Sequence, residues 1–183
     1  MNTLSGVLFF LAFLPYAWAI VQGETVPSPV TWGIWAIVDL LALKAMKKDD
    51  PEASVGQLTG AVAGATGITA LAIYFGKPTF GTIEVVSIIG ALLGIVLWKR
   101  SGNPKYGIIL SNMAIFVGSF PEFNIAYNTP QHEDAIAWSI WLVSCVCALL
   151  AVKKWDIANA LQPITFTVIE TVMVFLVVIR PLL

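Results

Sequence analysis

Charge is scarce in this chain. Only 11% of the 183 residues are Asp, Glu, Lys or Arg, whereas soluble domains average roughly 25%. The mean hydropathy is +0.84. So little charge cannot cover a surface in water, and we expect an integral membrane protein whose main environment is the lipid bilayer. The basic residues form no stripe that could follow a phosphate backbone, so we expect no nucleic-acid partner.

Histidine and cysteine are scarcer still, which excludes most metal and nucleophilic chemistry. Cys145 and Cys147 lie two apart in an apolar stretch, where they point to roughly opposite sides of a helix and cannot pair with each other. The only histidine belongs to His132-Glu133-Asp134, whose consecutive residues share no face, so we expect a solvated loop and no metal site. Without a Ser–His or Cys–His pair inside the membrane, we expect neither an enzyme nor a bound cofactor.

Seven apolar stretches approach the roughly 20 residues that a membrane-spanning helix needs. They are residues 3–22, 29–46, 54–75, 81–98, 105–127, 133–152 and 157–179. Most basic residues then fall on one side of the membrane: Lys44, Lys47, Lys48, Lys99, Arg100, Lys105, Lys153 and Lys154. Only Lys77 and Arg180 fall on the other side, so the positive-inside rule predicts an inside N-terminus and an outside C-terminus.

The sequence also repeats itself after 106 residues without a gap. The matching features are Pro15 with Pro121, Trp32 and Trp35 with Trp138 and Trp141, and Lys47-Lys48 with Lys153-Lys154. Because three helices reverse the chain direction, a fourth crossing is needed before a second three-helix unit can run parallel to the first. We therefore predict an all-α protein with two parallel three-helix bundles, residues 1–76 and 101–183, joined by a linker helix at 77–100 in a 3+1+3 arrangement.

These features resemble the PQ-loop/SWEET superfamily of three-plus-one-plus-three transporters. The resemblance is carried by a Pro in the first helix of each triplet, a short polar loop, and an apolar second helix that opens with aromatic residues. The Pro-Gln dipeptide of that family reads Pro15-Tyr16 and Pro121-Glu122 in this chain. The inside N-terminus is closer to vitamin transporters of the PnuC type. The resemblance implies facilitated diffusion of a small polar solute through a pore between the two triplets.

Two acidic residues lie far from either end of an apolar stretch. Asp39 stands between Val38 and Leu40 in the second stretch, and Glu170 lies near the middle of the seventh. A charged residue at a helix centre costs about 2.5–3.5 kcal/mol on translocon scales, so we expect both acids to face a wet cavity. They would bind a proton, a cation or a hydroxylated or cationic solute. The alternative is a protonated carboxyl bonded to neighbouring polar side chains, namely Thr165, Thr167, Thr171 or Asn112.

Two prolines stand inside the first helix of each triplet. Pro15 and Pro121 each remove a backbone hydrogen bond and bend the helix. The carbonyl freed near Val117 can then line a cavity, and Glu122 follows directly and is a candidate for contact with a solute. We expect the two prolines to act as hinges for alternating access, although static kinks of this kind are common in membrane helices.

Aromatic residues open the second helix of each triplet. Trp32 and Trp35, like Trp138 and Trp141, lie three apart and share a helix face. The deeper pair, Trp35 and Trp141, could stack on a ring or sugar, whereas the shallower pair suits the interfacial belt where Trp collects. Asn112 is the deepest of the polar residues on the fifth stretch and a further candidate for solute contact.

A transporter is the function that these features favour. We expect it to move a small polar solute, such as a sugar, a vitamin or nucleoside, or an amine, through a central cavity by alternating access. The localisation that we expect is a bacterial or archaeal cytoplasmic membrane. Proton or cation coupling and homo-oligomerisation stay open. The alternative is a non-transporting scaffold or assembly subunit of a larger complex, and an intramembrane enzyme would have to rest on Asp39 and Glu170 alone.

Overall fold

A computed structural model describes residues 2–52, 55–75 and 81–183 of the chain. Within these ranges the backbone is helical and contains no strand. The main helices are α1 (Asn2–Gln22), α2 (Pro29–Asp49), α3 (Gly56–Phe75), α4 (Thr82–Ser101), α5 (Pro104–Gly118), α6 (Phe120–Asn128), α7 (Ala135–Ala151) and α8 (Ile157–Val174). A 3-10 turn, Pro130–His132, precedes α7, while a π-helical turn, Phe175–Ile179, and a 3-10 turn, Arg180–Leu182, extend α8.

Six helical segments of the described chain are long and apolar enough to cross a membrane. They are α1, α2, α3, α4, the combined segment Lys105–Asn128 and the extended segment Ile157–Leu182. The helix α7 is apolar but shorter, at 17 residues. The prediction of an all-helical chain is confirmed for the described residues, and its apolar helices are compatible with an integral membrane protein. The predicted boundary at residues 76 and 77, with Lys77, lies outside the described residues.

The starts of α2 and α7 show how local sequence sets equivalent helix ends. The Ser28 side chain accepts a hydrogen bond from the Thr31 amide at 3.2 Å and caps α2. The Asp134 carboxylate accepts from the Ala137 amide at 2.7 Å and caps α7. Such residues satisfy amides that have no partner inside the helix. The two caps are 106 residues apart, so both repeat copies begin their second helix at the same position.

The two prolines of the repeat affect their helices differently. Pro15 lies inside α1, which continues past it without a break. Near Pro121 the helix is interrupted at Ser119, so that α5 and α6 are separate segments. Proline has no amide to donate to the carbonyl four residues before it, and the Val117 carbonyl accepts instead from the Ser87 hydroxyl of α4 at 3.1 Å. That carbonyl therefore serves packing between helices rather than the cavity lining we had expected.

The helices pack in a pattern that places the chain's two halves side by side. Helix α3 lies against both α1 and α2, and α8 lies against both α7 and α5. Between these groups, α1 packs on α7 and α2 packs on α5. Helix α4 packs mainly on α5 and less extensively on α2. We name one end of the molecule the lysine end, after Lys47, Lys48, Lys153 and Lys154, and the opposite end the Glu133 end.

Glycines allow α1 and α3 to approach each other closely. A Cβ placed on Gly6 would lie 2.7 Å from the Gly56 carbonyl oxygen, and one on Gly60 would lie 3.0 Å from the Gly6 carbonyl oxygen. At Gly64 the added atom would lie 2.0 Å from a ring carbon of Phe13. Small residues of this kind let helix backbones meet in membranes. At Gly64 the missing side chain leaves room for an aromatic ring.

Candidate functional site

A small cavity lies between the two groups of helices, near the middle of the spans. Its volume is about 20 Å³, measured as the space open to the centre of a water molecule. One water molecule needs ~10–15 Å³ of such space. Most of the lining is aromatic or aliphatic, from six helices, and Asp39 and Glu170 are the acidic members. Trp35 and Trp141 also line it, so the structure brings four of the expected site residues together.

The two acids are buried without the hydrogen bonds that burial normally demands. Asp39 is 2% exposed and Glu170 is 4% exposed. Within the described ranges, Asp39 Oδ1 and Glu170 Oε2 have no hydrogen-bond partner. An unpartnered buried polar group costs roughly 1–3 kcal/mol. Because both acids carry this cost at one cavity, the space is suited to a hydrogen-bond donor that the fold itself does not supply.

The side chains expected as alternative partners for these acids are engaged elsewhere. Each threonine of α8 bonds to a carbonyl four residues earlier: Thr165 to Leu161, Thr167 to Pro163 and Thr171 to Thr167. The Asn112 amide donates to the Ile108 carbonyl at 2.9 Å. None of these four side chains hydrogen-bonds to Asp39 or Glu170 in the described structure. Asn112 borders a groove between α5 and α8 instead, outside the central cavity.

Several buried polar side chains lie between the lysine end and the middle of the bundle. The Gln57 side-chain amide on α3 donates to Cys145 Sγ on α7 at 3.0 Å. Gln57 and Gln162 line a smaller cavity of about 10 Å³. Asn159 borders both this cavity and a groove of about 670 Å³ at the lysine end. The buried atoms Gln57 Oε1 and Gln162 Nε2 have no partner among the described residues, so the small cavity offers free polar groups.

Two tryptophans make reciprocal hydrogen bonds across the groups of helices. The Trp35 indole donates to the Ile115 carbonyl at 3.2 Å, and the Trp141 indole donates to the Phe9 carbonyl at 3.0 Å. Trp35 and Trp141 are 106 residues apart, and so are Phe9 and Ile115. Each helix pair therefore repeats the other's contact. These bonds orient both indoles at the cavity wall.

Replacing either indole of the reciprocal pair should weaken the fold by a similar amount. Trp35→Phe and Trp141→Phe each remove a buried hydrogen bond and part of a ring. We expect a loss of about 1–3 kcal/mol for each, measured by thermal unfolding in detergent. Trp18→Phe is the matched control, because Trp18 is 65% exposed and such surface changes stay within about 0.5 kcal/mol. A neutral result for either buried variant, or an equal loss for Trp18→Phe, would contradict this reading.

A buried polar network closes the Glu133 end of the bundle. Tyr16 Oη lies 2.9 Å from Glu122 Oε1 and 3.0 Å from Glu133 Oε2. The Trp32 indole donates to Glu122 at 3.1 Å, and the Trp138 indole donates to Glu133 at 2.8 Å. The Ser28 amide completes the set by donating to Glu122 Oε2 at 3.0 Å. Glu122 thus belongs to this network and not to the lining of the central cavity.

Glu133 does not stand in the solvated loop that the sequence led us to expect. It is only 7% exposed, because the Val26 amide bonds to the His132 carbonyl at 3.2 Å and holds residues 23–28 against the loop. Burial raises the pKa of Glu133 well above its usual value, and the nearby Glu122 charge raises it further. The expectation of a solvated segment is wrong for this residue.

The sequence offered one weak indication of this network. Tyr16 occupies the position of Glu122 in the first repeat copy, 106 residues earlier. Two residues at equivalent repeat positions can meet where the two copies face each other, as these two do. Nothing local identified Glu133, because its burial depends on a segment more than a hundred positions away in the chain.

Comparison with known proteins finds no matching family model, no matching curated protein and no matching solved structure.

Proposed function

We propose that this chain is a membrane transporter that moves a small polar solute between two three-helix halves by alternating access. The observation that carries the proposal is the pair Asp39 and Glu170, whose buried oxygens lack partners at one central cavity. Ionisable groups at this depth are costly and are found mainly along pathways for ions or substrates. A site that leaves both carboxyls unsatisfied when empty suits a ligand that supplies hydrogen-bond donors or positive charge.

The packing pattern supports two parallel halves of the 3+1+3 type, with α4 as the linker. In each half the third helix lies between the other two, and the contacts of α1 with α7 and α2 with α5 exchange under the 106-residue shift. Trp32 and its repeat mate Trp138 meet with ring centroids 6.3 Å apart, as expected for residues beside an axis that relates the halves. We propose that the lysine end faces the cytoplasm, which places the N-terminus inside.

The state described by the structure is closed to a solute. A cavity of about 20 Å³ has room for about one water, so a larger ligand requires the halves to separate. The hydrogen-bonded network closes the Glu133 end, whereas unpartnered glutamine atoms lie towards the lysine end. We propose that the solute has a ring or several hydroxyls, or carries positive charge, because the wall combines indoles with carboxyls. A phosphate would lack an arginine in the described lining.

A ligand screen followed by a flux assay tests the proposal. Purified protein is heated with sugars, nucleosides and vitamins, and amines, because a ligand that binds the native state raises the melting temperature. Compounds that raise it are then assayed for counterflow in proteoliposomes. Asp39→Asn and Glu170→Gln should each weaken ligand binding at least tenfold, since a hydrogen bond between a carboxylate and a ligand contributes about 1.5–3 kcal/mol.

Glu24→Gln is the matched control for these variants. Glu24 is an exposed acid on the loop after α1, so its neutralisation should leave the ligand shift and the flux unchanged. Counterflow that persists in both cavity variants, or falls equally in the control, would count against the proposed site. If no compound shifts the melting temperature and none exchanges, the transporter proposal falls, and the scaffold subunit becomes the better account.

A further inference from the structure

The network at the closed Glu133 end has two contacts to the tyrosine oxygen but only one tyrosine hydrogen to share between them. Tyr16 Oη lies within hydrogen-bond distance of one oxygen of Glu122 and one of Glu133, at 2.9 and 3.0 Å. A phenol carries a single hydrogen, and an ionised carboxylate only accepts. Tyr16 can therefore donate to one carboxylate only. The second contact becomes a hydrogen bond only if the other carboxyl carries a hydrogen and donates it to the tyrosine oxygen.

The surrounding donors indicate which carboxyl carries that hydrogen. Glu122 accepts from the Trp32 indole, the Ser28 amide and Tyr16, so both of its oxygens are satisfied as a carboxylate. Glu133 accepts from the Trp138 indole alone besides the tyrosine contact, and its Oε1 has no partner among the described residues. Hydrogen bonds to the charged form favour that form, which leaves Glu133 as the neutral member.

No positive charge in the described chain offsets the two acids. Glu133 meets Glu122 and Tyr16 from α6 and α1, and its own segment supplies Asp134 and His132. Arg180, beyond α8, donates to the Tyr127 carbonyl instead. Glu24, on the neighbouring loop, is exposed and negative. Two adjacent ionised carboxyls without a cation would repel strongly in a buried site, whereas one bound proton removes the repulsion.

We propose that the Glu133 end binds one proton when it closes and releases that proton to water when it opens. In the closed state the proton stays on Glu133, whose O–H donates a hydrogen bond to Tyr16. On opening, the O–H bond of Glu133 breaks, water accepts the proton, and the solvated carboxylate remains. Proton binding here is independent of the solute. Its coupling to solute movement rests on the proposed function, in which closure of this end accompanies exposure of the cavity to the other side.

The sign of the pH effect follows from the raised pKa of Glu133 in the closed state. A group that binds its proton more tightly when closed stabilises closure at low pH, and this stabilisation is lost as the pH rises through the raised pKa. Opening should therefore become more frequent as the pH rises from about 4.3, the ordinary value for Glu. Between the two pKa values the open fraction should grow up to about tenfold per pH unit.

Hydrogen exchange at the Glu133 end tests this proposal on the intact protein. The Ser28 amide, bonded to Glu122, and the Val26 amide, bonded to His132, exchange only when this end opens. Exchange of the peptide covering 23–28 is compared between wild type and Glu133→Gln at each pH, so that the intrinsic chemical rate cancels. The ratio should rise with pH, because Gln imitates the protonated carboxyl and cannot titrate.

Glu24→Gln is again the control, and its exchange should rise with pH as in the wild type. A wild-type to Glu133→Gln ratio that stays flat between about pH 5 and pH 8 would overturn the proposal. If the Gln variant does not fold, Trp138→Phe tests the same point. This change removes a hydrogen bond that favours the charged form of Glu133, so the rise of exchange with pH should move to higher pH. A rise at the same pH as in the wild type would overturn the proposal.

Solute flux separates this inference from the proposed function. Exchange that rises with pH in a protein with no flux for any compound would leave the proton site standing and remove the transporter. Flux combined with a flat exchange ratio would leave the transporter standing and remove the proton site.

Discussion

Gly64→Ala should destabilise the protein strongly, while Gly67→Ala should not. The added methyl at position 64 would lie 2.0 Å from a carbon of the Phe13 ring, whereas at position 67 nothing lies within 4 Å. Overpacking of this kind costs typically about 1–3 kcal/mol and sometimes more. At position 67 the change should be neutral or gain up to about 1 kcal/mol from helix propensity. Thermal unfolding of both variants in one detergent measures the difference.

The same change should also close the central cavity. The Phe13 ring packs edge-on against Trp141 at 5.0 Å and against Trp32 at 5.9 Å, and it lines the cavity. A methyl on α3 would push the ring towards the cavity that it already lines, unless α1 and α3 separate. Gly64→Ala combined with Phe13→Ala should therefore be more stable than the two separate losses predict. Additive losses, or a Gly64→Ala variant as stable as Gly67→Ala, would contradict the packing described.

If the chain is a transporter as proposed, Glu170→Met should abolish transport and at the same time raise stability. The carboxyl has a buried oxygen without a partner in the described structure, and replacing an unsatisfied polar group by an apolar group of similar length removes a cost of about 1–3 kcal/mol. A rise in melting temperature with flux at background level would be the signature of a residue kept for function. Unfolding and counterflow are measured on the same preparation.

A surface acid provides the comparison for that result. Glu24→Met changes an exposed side chain and should alter stability by no more than about 0.5 kcal/mol, with normal flux. If Glu170→Met lowers the melting temperature by several degrees, the carboxyl has a structural partner and the empty-site reading fails. If flux persists in Glu170→Met, the acid does not contact the solute.

The helices could be predicted from sequence because their signals are local. Apolar runs, proline, glycine and the capping residues Ser28 and Asp134 act within a few positions along the chain, and α2 and α7 begin directly after these caps. A bend near Pro121 was expected from the missing amide, and the structure shows an interruption of the helix there. Its position at Ser119, and the bond of Val117 to Ser87 on α4, depend on a neighbouring helix and could not be read from α5 alone.

The central site was partly accessible to sequence reasoning. Asp39 and Glu170 had to face inwards, because lipid cannot solvate a carboxyl in the middle of a span. Depth in the membrane does not determine which helix face a residue occupies, which is why Asn112 borders a groove outside the cavity and Glu122 lies in the network of the Glu133 end. The direction in which each face points depends on packing between helices that are distant in sequence.

The hydrogen bond from Ser87 to the Val117 carbonyl connects α4 to the bend before Pro121. Among the long described helices, α4 is the least buried against the rest of the protein, with 18% of its apolar stretch buried. It therefore presents most of its surface to acyl chains, and it also holds the kink before Pro121. In a bilayer thinner than its apolar stretch such a helix tilts, and we expect its bond to the Val117 carbonyl to pass that tilt on to the bend. We therefore expect bilayer thickness to influence the shape of the chain around Pro121.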